Sequence, residues 1–172
     1  FGHLLGPLGA LARERVDAWQ ALAEERGVHL VTDAETPVIA STTPGRLEQV
    51  LDNLLSNAIK YSNPGGHISV VAERVGDWVE IRVADEGIGI AQQDQERLFE
   101  RFFRAEAVRS GERRGTGLGL HLVREIVAAH SGEVELTSEL GVGTEVRVRL
   151  PRARRQGKSP HVSPHPDRTS TA

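Results

Sequence analysis

Asn53-Leu54-Leu55-Ser56-Asn57-Ala58-Ile59-Lys60-Tyr61 carries two patterns on one helical stretch. The apolar residues Leu47, Val50, Leu51, Leu54, Leu55, Ala58 and Ile59 alternate steps of three and four, which lays one continuous buried face along a helix. On the other side Asn53, Asn57 and Lys60 fall one turn apart and point the same way. Asparagine is a mediocre helix former because its side chain competes for backbone partners. Two of them stacked beside a lysine read either as a solvated polar face or as a site. Neutral carbonyl oxygens suit a hard cation such as Mg²⁺, and an ammonium suits phosphate.

Such a helix needs a layer to pack on, and the flanking sequence supplies one. Thr43-Pro44 reads as its start, with Thr as N-cap and Pro at the first helical position, and Asn63-Pro64-Gly65-Gly66 as its stop. Upstream, residues 8–26 form an amphipathic helix through Leu8, Leu11, Ala12, Val16, Trp19 and Leu22, closed by Gly27. Strand-like pieces follow at His29–Thr32 and Val38–Ser41. Downstream, Ile68–Val75 and Trp78–Ala84 flank Gly76-Asp77, a hairpin signature. A short helix near Gln92–Phe99, a polar Arg-rich stretch to Gly115 and a helix over Gly117–His130 come next. A second hairpin, Glu133–Ser138 and Thr144–Leu150, closes the series. The order predicts an α/β (α+β) two-layer sandwich with a mixed, largely antiparallel sheet packed on three helices.

Composition narrows the function. The 172 residues are 38% hydrophobic and 26% charged, which suits one soluble domain with a real core. With no cysteine, a disulfide scaffold, a Cys metal site and a cysteine nucleophile are excluded. No apolar run is long enough to span a membrane, and the Phe1–Ala12 segment lacks the basic lead-in of a signal peptide. The absence of any methionine reads as a piece cut from a longer protein. Residues 151–172 hold five Lys and Arg against one acid, a net +4, while the first 150 hold 16 bases against 23 acids, a net −7. An acidic body argues against nucleic acid as partner. The division expected is a folded domain over 1–150 and a disordered basic tail over 151–172.

Two glycine-rich segments follow the strands. Asp85-Glu86-Gly87-Ile88-Gly89-Ile90 leaves the second hairpin strand, and its glycines permit close backbone approach to a ligand. Asp85, at the strand end, is placed to accept from an exocyclic amine; an ordinary Asx turn is the bland reading. Gly115-Thr116-Gly117-Leu118-Gly119-Leu120 opens the last long helix, whose free amides and dipole make an anion site, with a flexible connector as the alternative. It lacks the Lys-Ser/Thr ending of a P-loop. Between them, Leu98-Phe99-Glu100-Arg101-Phe102-Phe103-Arg104 holds three of the four phenylalanines, with Arg109, Arg113 and Arg114 beyond, and suggests a hinged lid over an anionic ligand.

Together these segments resemble the catalytic and ATP-binding domain of bacterial sensor histidine kinases, within the wider superfamily of gyrase, the ninety-kilodalton heat-shock chaperone and MutL. Asn53–Tyr61 is similar to its N box, Asp85–Gly89 to the first glycine box, and Leu98–Arg104 to the phenylalanine box. Gly115–Leu120 is similar to the second glycine box and Gly141-Val142-Gly143-Thr144 to the small third one. The resemblance implies the Bergerat-type ATP-binding fold. It implies that Asn57, helped by Asn53, holds Mg²⁺ at the phosphates, that Lys60 meets phosphate, and that Tyr61 packs near the nucleotide. Asp85 is implied to bind the adenine amine, with Gly87 and Gly89 shaping its pocket, and Ile90 and Thr144 to be further nucleotide-binding residues. Gly115, Thr116, Gly117, Leu118, Gly119 and Leu120 are implied to hold phosphate, and Arg104 to be a lid cation.

Within the superfamily, gyrase-like ATPases place a basic glutamate four residues before the Mg²⁺-binding asparagine. Here that position is Asn53, which cannot take a proton, so phosphoryl transfer is expected over hydrolysis. None of the seven histidines fits the family's phosphoacceptor motif; His3 comes nearest, and His121 and His130 read as surface or packing residues. The resemblance therefore implies an upstream dimerisation and phosphoacceptor domain outside this chain, and a response regulator as partner. It implies a homodimeric parent anchored in the inner membrane with this domain cytoplasmic, the isolated piece being monomeric. An anti-sigma-factor-like serine kinase and a nucleotide-sensing domain without transfer activity are the alternatives.

Overall fold

The computed structural model describes residues 4–34, 39–43, 45–105 and 116–152. His3, Pro44, Arg109, Arg113, Arg114, Gly115 and the tail beyond Arg152 lie outside the described residues. The elements, in chain order, are β1 (Leu4–Pro7), α1 (Leu8–Glu25), β2 (His29–Ala34), β3 (Ile39–Thr42), α2 (Arg46–Tyr61), β4 (His67–Val75) and β5 (Trp78–Asp85). Then come α3 (Gln92–Gln95), a 3₁₀ turn (Glu96–Phe99), α4 (Gly119–Ala129), β6 (Glu133–Glu139) and β7 (Gly143–Pro151).

The main sheet has five strands in the order β2-β4-β5-β7-β6, all antiparallel except the β2–β4 pair. Alternation decides its two faces. Ile68, Val70 and Ala72 of β4, Val79, Ile81 and Val83 of β5, and Val146, Val148 and Leu150 of β7 are all buried. They meet Leu8, Ala12 and Val16 of α1, the whole Leu47–Ile59 stripe of α2, and Val123, Ile126 and Val127 of α4 in one core. Three long helices therefore cover one face, as the sequence predicts. The intervening residues make the other face a charged lattice. Glu80, only 5% exposed, takes Arg149 Nε at 2.9 Å and Arg82 and Arg147 Nε at 3.5 Å.

Chain reversals are set by local chemistry. Gly27 (φ +67°) ends α1 with its N–H on Glu24 O and the Val28 N–H on Ala23 O, a Schellman closure. Ser131 (φ +56°) and Gly132 end α4 the same way, through Ala128 O and Val127 O. Trp19 Nε1 and Arg15 Nε both reach Asp52 Oδ1, at 2.8 and 3.0 Å, and tie α1 to α2.

The structure differs from the sequence reading in three details. The α2 helix begins at Arg46 with Gly45 in the left-handed conformation as its N-cap, not at Thr43-Pro44. The Thr43 N–H is instead used by His130 Nε2 at 3.0 Å, which pins the end of α4 to this corner. An unforeseen strand, β1, pairs antiparallel with β3 in a separate two-stranded sheet, joined to the main sheet's end through the Ala40–Arg152 bridge. Finally, β7 runs to Pro151, one residue beyond the strand end read at Leu150, and Arg152 pairs with Ala40.

Candidate functional site

A cavity of about 390 Å³ opens between α2, the start of α4 and the ends of β5 and β7. At one end, Asp85 closes β5, in register with Thr144 at the start of β7. Its carboxylate accepts the Gly87 N–H at 2.9 Å and the Thr144 N–H. Desolvation among Val83, Ile88, Ile90, Leu136 and Val146 outweighs those two donors and pushes the carboxyl up to about 6.

Backbone packing explains the glycines around it. A Cβ on Gly87 would lie 2.5 Å from Tyr61 O and 2.6 Å from Asp85 Oδ1. One on Gly89 would lie 1.9 Å from Glu139 O, and the residue has φ +63°. The loop is sewn down by Ile88 N–H to Tyr61 O at 3.1 Å and Gly141 N–H to Ile88 O at 2.8 Å.

At the other end the α2 stripe faces α4. Asn53 donates Nδ2 to Gln49 O at 2.7 Å within its own helix, and its Oδ1 lies toward the first turn of α4. A Cβ on Gly119 would lie 2.8 Å from that Asn53 Oδ1 and 3.7 Å from Asn57 Nδ2, so the first turn of α4 abuts the amide pair. Lys60 Nζ sits 4.9 Å over the Tyr61 ring. Gly117 (φ +71°) accepts the Phe102 N–H at 3.0 Å, and a Cβ there would strike the Phe102 and Phe103 backbone.

Most sequence-predicted residues converge here. Asn53, Asn57, Lys60, Tyr61, Asp85, Gly89 and Ile90 line the cavity, as do Arg104, Thr116, Gly117, Gly119, Leu120 and Thr144. Gly87 does not line it but stands behind Asp85 as a donor. Leu118 does not line it either; it precedes α4 and its carbonyl takes the Leu122 N–H. The phenylalanine segment divides: Phe103 lines the cavity beneath Arg97, 4.3 Å from its ring, whereas Phe102 is 71% exposed with φ +62°. His121 and His130 have packing roles, their Nδ1 atoms on the carbonyls of Phe99 at 3.0 Å and Ile126 at 2.8 Å.

Sequence reasoning missed a brace behind Asp85. Ser138 Oγ accepts the Ile90 N–H at 2.9 Å, donates to Gly143 O at 2.8 Å and lies 2.8 Å from Thr144 Oγ1. Gln95 Nε2 donates to Ile90 O at 3.0 Å and to Ser138 O at 2.8 Å. No local signal marks it: the β6–β7 register, which pairs Ser138 with Thr144, brings it to the site.

Residues 42–154 match the family model described as histidine kinase-, DNA gyrase B-, and HSP90-like ATPase. Sensor-like histidine kinase SenX3 of Mycolicibacterium smegmatis is 39% identical over 142 residues, which cover 83% of this chain and 37% of that protein. The chain thus spans little more than a third of the length of such relatives. Among solved structures, the catalytic domain of histidine kinase ThkA superposes with a TM-score of 0.77 at 23% identity, covering 88% of this chain and 97% of that one. Full-length ShkA in complex with AMPPNP gives a TM-score of 0.75 at 29% identity, over 90% of this chain and 32% of that one.

Proposed function

The chain belongs to the family of histidine kinase-, DNA gyrase B- and HSP90-like ATPases, and from that premise we propose that it is the nucleotide-binding catalytic unit of a sensor histidine kinase. It binds Mg·ATP and passes the terminal phosphoryl group to a histidine on a separate phosphoacceptor domain, for relay to a response regulator. The observation that carries this reading is one cavity holding an acceptor for an amine at Asp85 and a cation and anion cradle where α2 meets the first turn of α4.

Asp85, at the inner end, takes the adenine amine, and the apolar walls take the ring. The residues present fit a hard cation: the Asn53 carbonyl and Asn57 would be amide ligands, and glycine at position 119 leaves beside them the space a Cβ would fill. When bound, Mg²⁺ neutralises phosphate charge. Lys60, Arg104 and the amides at the start of α4 hold the phosphates in place. Asn53 offers no base for water, so the protein positions the donor rather than hydrolysing it, and the attacking nucleophile comes from the incoming histidine. Among the described residues no helix is long and apolar enough to cross a membrane. Membrane anchorage and homodimerisation are assigned to the parent protein.

The test is calorimetric titration with Mg·ATP and Mg·GTP, followed by labelled ATP with a phosphoacceptor domain supplied in trans. Saturable, Mg²⁺-dependent ATP binding and an acid-labile, base-stable phosphohistidine are expected. Binding without any label on the acceptor would reduce the chain to a nucleotide sensor, and no binding would remove the reading altogether.

A further inference from the structure

The contacts of the Ser138 hydroxyl fix the direction of the protons around it. Gly143 O can only accept, so the single Ser138 proton goes there. The Ile90 N–H can only donate, so it occupies one Ser138 lone pair. What remains on Ser138 Oγ is one lone pair, and Thr144 Oγ1 lies against it. The Thr144 hydroxyl must therefore donate to Ser138. Its proton is spent, and toward the cavity it offers lone pairs only. Gln95 holds the arrangement in register, with Nε2 spanning Ile90 O and Ser138 O.

Thr144 lies directly across from Asp85 in the β5–β7 register, and both line the cavity. We propose that Ser138 is a positioning residue for base selection. By taking the Thr144 proton it leaves Thr144 and Asp85 as a pair of acceptors, which fits a purine carrying an exocyclic amine and opposes one carrying an exocyclic carbonyl. This rests on the adenine-nucleotide reading and adds a selectivity determinant that touches no ligand itself. The physical basis is asymmetric. An amine satisfies both acceptors, whereas a carbonyl oxygen meets lone pairs on both sides and leaves them unpaired in a desolvated pocket. A Thr144 hydroxyl free to rotate would turn and donate to the carbonyl, removing half of that opposition.

The experiment is titration of the chain with Mg·ATP and with Mg·inosine triphosphate, for wild type, Ser138→Ala, Thr144→Val and the double variant. Ser138→Ala is expected to raise the affinity for inosine triphosphate relative to ATP by about tenfold. In the Thr144→Val background the same substitution should leave that ratio unmoved, because no hydroxyl remains to turn. Ser138→Thr, which retains the hydroxyl, should keep the wild-type ratio. If Ser138→Ala does not fold, Ser138→Cys, whose thiol accepts weakly, should shift the ratio in the same direction. Equal weakening of both nucleotides would make Ser138 a structural brace and overturn the proposal, as would the same ratio change with and without the Thr144 hydroxyl. A wild-type chain that binds neither nucleotide would instead refute the adenine-nucleotide reading.

Discussion

Lowering the pH from about 7 to about 5 should weaken ATP binding about tenfold through one group, Asp85. Its carboxyl sits at about 6 because desolvation in the cavity outweighs the Gly87 and Thr144 N–H donors. At the upper pH about nine-tenths of the population carries the carboxylate that an exocyclic amine needs, and at the lower about one-tenth does. Binding selects the ionised form and so releases a proton, about half of one near the midpoint. Calorimetry in two buffers of different ionisation enthalpy reads that release directly. Because the phosphates of ATP titrate nearby, Asp85→Asn is the control: it retains the phosphate titration and loses the carboxyl's. Its affinity should be lower at neutral pH, with the carboxyl's share of the proton release gone and only that of the phosphates left. A wild-type pH profile that superimposes on that of Asp85→Asn would refute the reasoning, and with it the assignment of Asp85 to the amine.

The same shift predicts an opposite effect on the empty fold. A carboxyl raised from 3.8 to about 6 binds its proton more tightly in the native state. Its stabilising contribution is therefore complete below about 3.8 and is lost as the pH climbs through about 6. By neutral pH the loss amounts to as much as about 3 kcal/mol. Asp85→Asn should thus raise the Tm of the ligand-free domain at neutral pH while weakening its affinity for ATP, as expected where function is kept against stability.

Gly89→Ala should destabilise the fold by about 3 kcal/mol or more, since the new Cβ would lie 1.9 Å from Glu139 O at a φ of +63°; denaturant titration measures it, and a loss under about 1 kcal/mol would mean that the loop gives way easily. Asn57→Ala should cut phosphoryl transfer at least tenfold with Tm little changed, because the side chain faces a cavity rather than the core; a large fall in Tm would mark Asn57 as structural. Glu80→Gln removes the carboxylate that Arg82, Arg147 and Arg149 share and should lower Tm by about 5 °C while ATP affinity holds, as the lattice lies on the sheet face away from the helices.

What could be read in advance was whatever repeats locally. The Leu47–Ile59 spacing specified a buried helix face, and the same helix then had to carry Asn53, Asn57 and Lys60 on a common side. Every one of those seven apolar residues is buried, and the three polar ones line the cavity. The hairpins were equally plain, because alternation and the Gly76-Asp77 turn are contained in a few residues. Pairing between distant segments has no such signature. Neither β1 against β3 nor the parallel β2–β4 register, His29 opposite His67, leaves a mark in either strand alone. The start of α2 is a related case: Thr43 suits an N-cap, but the helix begins at Arg46, and Thr43 turns both its N–H and its hydroxyl to His130, 87 residues further on. Ser138 was invisible because its importance lies in three partners brought together from β7 and the Ile90 loop.

The two ends of the cavity are built on different principles, which suits a donor whose recognition and reaction happen at opposite ends of one ligand. Around Asp85 the loop is fixed by backbone hydrogen bonds, by the Ser138 and Gln95 side chains and by glycine contacts too close for a Cβ, beside the β6–β7 pair. Such a frame discriminates because it cannot relax around the wrong base. Where α2 meets α4, the groups are side-chain amides, an ammonium and helix-start N–H donors, with exposed Thr116 and Phe102 marking the nearby surface. Charge neutralisation tolerates small displacements better than base reading does, and an incoming acceptor must reach that end. Changes at Asp85 or Ser138 therefore belong in KM and nucleotide preference, and changes at Asn57 or Lys60 in kcat. A variant at the inner end that altered kcat alone would mean that the two ends are coupled through the Ser62–Gly87 bridge and the Ile88 N–H bond to Tyr61 O, which link the end of α2 to the Asp85 loop.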